Sequence, residues 1–139
     1  MVELIVGVQG TGKTKKLIDL SNDTARASDG CVVCIEKGEK LRFNITHAVR
    51  LVNTEHYDIQ TADALYGLVC GLYAENYDIT HVFIDSALKI CSKDMDVFAA
   101  FVDRVAVISE KLGFKCIMTA STEKDALPED IKKYVVEII

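Results

Sequence analysis

The stretch LIVGVQGTGKTKKLI, Leu4 to Ile18, decides how the rest of the chain is read. Val2 to Val6 is apolar and β-branched without strict alternation, the pattern of a short strand buried on both faces. From Gly12 or Lys13 the pattern becomes helical and runs to about Ala27, with Leu17, Ile18 and Leu20 on the inner side. Strand, glycine-rich turn and helix in direct succession start a β-α unit, which commits the chain to a parallel sheet.

The turn itself, Gly7-Val8-Gln9-Gly10-Thr11-Gly12-Lys13-Thr14, satisfies G-x-x-x-x-G-K-[ST] in full. Each fixed position has a physical job. The glycines allow backbone torsions that a side chain would penalise. Several N–H groups then converge on one anion, and the following helix points its positive end at the same place. Lys13 reaches the outer phosphates as a point charge, and the Thr14 hydroxyl is a candidate magnesium ligand. Gly7, Gln9, Gly10, Thr11, Gly12, Lys13 and Thr14 are the candidate nucleotide contacts, with Gln9 at a variable position of the pattern.

Working outward, Asp29-Gly30 predicts a turn, and Cys31 to Glu36 (CVVCIE) a second buried strand. Leu41 to Val52 carries apolar residues at roughly helical spacing and predicts a helix; Tyr57 to Gln60 predicts a short third strand. Leu65, Leu68, Val69, Leu72 and Tyr73 share one face of a helix that ends near Asn76. His81 to Ile84 is a further buried strand, followed by Asp85. Ser92 is placed to cap a long helix with the stripe Val97, Phe98, Phe101, Val102, Val105, Ile108 and Leu112, and Gly113 suits its C′ position. Phe114 to Thr119 predicts a fifth strand, a short helix follows Pro128, and Tyr134 to Ile138 predicts an edge strand. The expected fold is α/β: a three-layer α-β-α sandwich with a mostly parallel sheet of about five or six strands, in one nucleotide-binding domain over residues 1–139. Ligands of such sheets bind at the carboxyl ends of the strands, so the residues just after each strand matter most.

Composition narrows the function. Half of the 139 residues are hydrophobic, enough for a real core. A net charge of −5, with four arginines (Arg26, Arg42, Arg50, Arg104), argues against nucleic acid as the main partner. No apolar run reaches the ~18 residues that span a bilayer, and the N-terminus lacks the features of a secretory signal. No membrane partner and a cytoplasmic location are therefore expected, with Cys31, Cys34, Cys70, Cys91 and Cys116 reduced. Cys31 and Cys34 form a C-x-x-C, but residues i and i+3 of a strand face opposite ways and no second pair follows. Buried apolar thiols are expected there rather than zinc. His47, His56 and His81 show no metal-ligand spacing.

On Gly7 to Thr14 the chain resembles the P-loop NTPase superfamily, in particular its compact RecA-like and thymidine-kinase-like core. It is also similar to small stand-alone bacterial ATP-binding proteins of about this length. The resemblance implies ATP and magnesium as ligands, with an aspartate closing a hydrophobic strand as the second metal-side residue. His81-Val82-Phe83-Ile84-Asp85 matches that element, so Asp85 joins Thr14 as a candidate magnesium ligand. Hydrolysing RecA-like enzymes follow this aspartate with a glutamate that polarises water, and thymidine kinases also carry an acid at the step. Here Ser86 follows, and serine is no base at neutral pH. The resemblance offers Glu36, at the end of the second strand, as a replacement catalytic base, set against a solvated residue in the run EKGEK. It also offers Thr119 and Ser121 as γ-phosphate sensors, set against plain turn hydroxyls. Lys37 and Lys40 follow the second strand and are placed to approach a ligand, set against plain solvated lysines. The cysteine-pair zinc lasso of thymidine kinases is missing, and so is the N/T-K-x-D signature of guanine-specific P-loop proteins, which leaves adenine as the expected base.

Three functions share these residues. One is an ATP-binding protein with weak or partner-dependent hydrolysis, the partner being another protein or a second copy of the chain. Another is a small-molecule, nucleoside-like kinase using Glu36, against which counts the lack of an arginine-rich lid. The third is a non-hydrolysing, nucleotide-dependent interaction module.

Overall fold

The computed structural model describes residues 1–139. Six strands, β1 (Val2–Gly7), β2 (Cys31–Glu36), β3 (Val49–Asn53), β4 (Ile79–Ile84), β5 (Lys115–Ser121) and β6 (Val135–Ile138), form one sheet. Their order is β3-β2-β4-β5-β1-β6, and every neighbouring pair is parallel. The helices are α1 (Lys13–Ala27), α2 (Ala62–Glu75), α3 (Ala87–Ile90) and α4 (Met95–Leu112). The α/β sandwich anticipated above is thus the fold, with all six strands parallel.

Helices cover both faces, as a parallel sheet requires. On one face Leu65 and Val69 of α2 and Phe98, Phe101 and Val102 of α4 bury themselves against Leu4, Val33, Ile84 and Met118. On the other, Leu17 of α1 packs with Leu41 and Ile45 against Ile5, Cys34, Phe83 and Ile117. Cys31 and Cys34 fall on opposite faces, as their spacing anticipated, and all five cysteines are free. Burial pushes the Cys91 and Cys116 thiols up to about 12, so both are inert at neutral pH.

The expected helix from Leu41 to Val52 does not form. A single turn, in which the Asn44 and Ile45 amides both donate to the Leu41 carbonyl, buries Leu41 and Ile45; Val49 then opens β3 against Val32. The helical spacing of the first two residues is real, but the β-branched Val49 and Val52 belong to a strand. The strand expected at Tyr57 to Gln60 does not form: Thr54–Tyr57 is a 3₁₀ turn, Asp58 is left-handed, and no strand follows before α2. Asn53 ends β3 early, because its side-chain carbonyl accepts from the Gly38 and Glu55 amides.

Asp94, not Ser92, caps α4: its carboxylate accepts from the Asp96 and Val97 amides at 3.0 and 3.1 Å. An N-cap residue is extended, whereas Ser92 and Lys93 are both left-handed, with φ of 64° and 59°. Val97 lies outside the buried stripe and is exposed. Gly113 closes the helix with φ 84°, as expected of a C′ glycine. β5 runs two residues past its expected end, to Ser121, and β6 is the edge strand anticipated near the C-terminus.

Candidate functional site

The loop between β1 and α1 lies at the carboxyl edge of the sheet. Gly10 and Gly12 have φ of 85° and 93°, and a Cβ at either would meet no atom within 4 Å. Torsion, not space, demands glycine there. At Gly7 the reason is different: a Cβ would overlap the carbonyl of Ile139, whose own amide donates to the Val6 carbonyl at 2.9 Å. α1 starts at Gly12 with no side-chain cap and no acidic residue in its first turn, and its first bond runs from the Lys16 amide to the Gly12 carbonyl at 3.1 Å. The amides ahead of that bond are left to an external acceptor. Lys13 is 6% exposed, and its Nζ donates to the Val8 carbonyl at 2.8 Å, which also accepts from Thr11 Oγ1 at 2.9 Å. Burial lowers the Lys13 pKa, and the nearby Asp85 charge partly opposes that.

β5 lies between β1 and β4, so Asp85 sits two strand positions from the loop strand. Side chains close that gap. The Thr14 hydroxyl lies 3.2 and 3.1 Å from the two carboxylate oxygens of Asp85, across 71 residues of sequence. Thr119 of β5 donates to Asp85 Oδ1 at 2.7 Å and accepts from the Ser86 amide at 2.8 Å. Asp85 and Thr119 are buried, and Ser86 is held left-handed at φ 57°. Thr119 thus fastens the end of β4 to the end of β5. Ser121 is exposed at the end of β5.

Glu36 ends β2, next to β4, and is 3% exposed. Its two carboxylate oxygens accept from the Lys40 and Leu41 amides at 3.0 and 3.2 Å. Burial raises its pKa; the two amides oppose this, and the Asp85 and Glu39 charges add to it. This is not the solvated residue that the charged run EKGEK suggested as an alternative.

A cleft of about 700 Å³ joins these groups. Its lining includes Gln9, Gly10, Gly12, Lys13, Thr14, Glu36, Asp85, Thr119 and Ser121, while Gly7 and Thr11 are not part of it. Gly7 serves the contact with Ile139, and Thr11 the bond to Val8. Lys37 and Lys40 line the cleft, as do Lys89 of α3 and Lys93 after it. Sequence reasoning passed over the last two, although they follow closely on Asp85 in the region where ligands of parallel sheets bind.

The donors are chemically suited to a hard cation. Thr14 and Asp85 offer a hydroxyl and a carboxylate, and no group of three or more His, Cys, Asp or Glu side chains gathers anywhere. Magnesium is commonly held by one or two protein oxygens, with water and substrate phosphates completing the shell. The pair fits that usage and does not resemble an all-protein metal cage.

No helix is long and apolar enough to cross a membrane. No protein-family model and no curated protein matches the sequence. Among solved structures, the chain is similar to the crystal structure of the flagellar accessory protein FlaH from Methanocaldococcus jannaschii, with a TM-score of 0.64 and 14% identity, over 98% of this chain and 70% of that one. The likeness extends along nearly the whole chain and shows the fold: a parallel α/β sheet clad by helices, fitting the P-loop-like class anticipated from Gly7 to Thr14.

Proposed function

We propose that the chain binds magnesium–ATP in this cleft as a P-loop protein of the RecA-like type, and that hydrolysis is slow unless a partner assists. The observation that carries the reading is the meeting of Lys13, Thr14 and Asp85 beside a helix start that has neither cap nor acid. On this reading Lys13 exchanges the Val8 carbonyl for phosphate oxygens, and the loop amides take the remaining charge. Thr14 and Asp85 would hold the magnesium, which when bound neutralises charge on the β- and γ-phosphates. Thr119 fixes the Asp85 carboxylate and acts as a positioning residue. Glu36 takes the role of base that Ser86 cannot fill, accepting a proton from a water or another hydroxyl.

Burial of Glu36 supports that role and gives it a pH signature. A raised pKa keeps the carboxyl protonated to higher pH than usual, so phosphate release falls as pH drops through a range above that of an ordinary glutamate. Measured phosphate release should lose this acid limb in Glu36→Gln and fall about 100-fold. Survival of the limb in that variant removes Glu36 from the chemistry.

Asp85→Asn separates metal from phosphate. ATP affinity measured with and without magnesium should differ several-fold in the wild type and hardly at all in the variant, a loss of about 1.4 kcal/mol for each tenfold change. An undiminished magnesium effect in Asp85→Asn overturns the assignment of Asp85. Tight ATP binding with no phosphate release under any condition would instead identify the non-hydrolysing module.

A further inference from the structure

The cleft extends further along the sheet than a phosphate loop requires. The loop follows β1, whereas Lys89 and Lys93 follow β4, two places along, and Lys37 and Lys40 follow β2, three places along. Neighbouring strands are about 4.8 Å apart, so these lysines stem from positions roughly 10 to 14 Å from the loop strand.

The charge there runs against the rest of the molecule. The chain carries a net −5, yet the cleft is lined by five lysines and two carboxylates, Glu36 and Asp85. None of the five lysines has a carboxylate within 4.0 Å; of the lysines elsewhere, Lys15, Lys16, Lys115 and Lys132 are paired and Lys111, Lys124 and Lys133 are not, but only in the cleft do five unpaired lysines share one concavity. Unpaired like charges gathered along a concave surface repel one another and focus a field that draws anions. The Ser92 and Lys93 amides donate back to the Lys89 and Leu88 carbonyls, and this left-handed turn at the end of α3 brings Lys93 to the cleft.

The lining also limits what the anion can be. Its apolar members are Val8, Leu41 and Leu88, and it contains no aromatic side chain. Single-stranded nucleic acid is gripped by stacking on aromatic rings as well as by charge, and nothing here offers a ring. Lysines without an aromatic platform suit phosphate on a compact polar molecule.

We propose that the β2–β4 side of the cleft is a second anion site, which takes a small phosphate-bearing molecule beside the nucleotide. The site's place beside a nucleotide rests on the magnesium–ATP reading of the loop; its preference for phosphate does not. Lys37, which follows β2, and Lys89 of α3 line this side of the cleft, as does Glu36.

Calorimetric titration with glycerol 3-phosphate tests this on the full chain in two backgrounds. In wild type saturated with magnesium and a non-hydrolysable ATP analogue, one equivalent of glycerol 3-phosphate binds. The double variant Lys37→Ala/Lys89→Ala weakens that binding at least tenfold and changes affinity for the analogue less than threefold. In Lys13→Ala without nucleotide, glycerol 3-phosphate binds within threefold of the saturated wild type. This second arm still reports on the lysines if wild type fails to bind the analogue, which would sink the nucleotide reading alone. Three outcomes overturn the proposal: no saturable binding in either background; parallel loss of analogue and glycerol 3-phosphate affinity in the double variant, which gives the lysines to the nucleotide; or displacement of glycerol 3-phosphate by a lower concentration of an oligothymidine strand, which gives them to nucleic acid.

Discussion

Lys13→Ala lowers affinity for magnesium–ATP about 100-fold, roughly 2.7 kcal/mol, and leaves the thermal midpoint within a few degrees of wild type. The two halves of this result have different causes. Lys13 is the cleft lysine that is itself buried, on the turn where the loop becomes α1, so its charge acts where water screens least. Its bond to the Val8 carbonyl contributes little net stability, because Thr11 also donates to that oxygen. Burial moreover works against the charged form of Lys13 in the folded state, so its removal relieves a cost. A lowered folded-state pKa also fixes the sign of the pH effect. Wild-type affinity fades as pH rises through a range below the ordinary lysine value, and Lys13→Ala, already without the charge, lacks that alkaline limb. Fluorescence titration against pH reads both. A variant that binds ATP as wild type does removes the phosphate role of Lys13, and one that unfolds overturns its small part in stability.

Gly7→Ala costs about 2–3 kcal/mol of stability, the range of an overpacked core position, and shifts the urea midpoint accordingly. The added Cβ meets the main-chain carbonyl of Ile139 and the Thr11 hydroxyl at once; the hydroxyl can turn away, but β1 and the residue after β6 must separate. Gly10→Ala is the comparison. Its Cβ has open space and its cost is the left-handed torsion alone, about 1–2 kcal/mol. Equal stability loss in the two variants would mean that the Gly7 contact yields easily.

The two glycines show what a sequence can and cannot tell. Both answer to the same motif, but the demand on Gly7 comes from a residue 132 positions away whose proximity no local pattern announces. Where one element decides its own state, the sequence sufficed: β1 is an unbroken apolar run, α1, α2 and α4 carry clear periods, and all four were legible almost to their ends. The β2–β3 crossover was not, because Leu41 and Ile45 plug the sheet from a single turn while Val49 and Val52 continue the same apolar spacing inside a strand. The candidate site divides in the same way. Lys13, Thr14 and Asp85 were legible from residue type and strand context. The grip of Thr119 on Asp85 depends on β5 standing between β1 and β4, and strand order is decided by the whole sheet. Lys89 and Lys93 reach the cleft through a four-residue helix and two left-handed residues that no periodicity marks.

The position of β1 also has a consequence in time. It is the first strand made, yet its two neighbours are β5 and β6, from the far end of the sequence, while β2, β3 and β4 pair with one another in between. Closing such long loops is slow, because their entropy is lost before the contacts repay it. Loop-closure entropy therefore predicts that the β1–α1 loop acquires its fixed shape in the last steps of folding, after β2–β4 have joined. On the proposed function, an ATP molecule that prefers the finished loop would hold the chain in its native state but would have little to grasp during the steps that lead there.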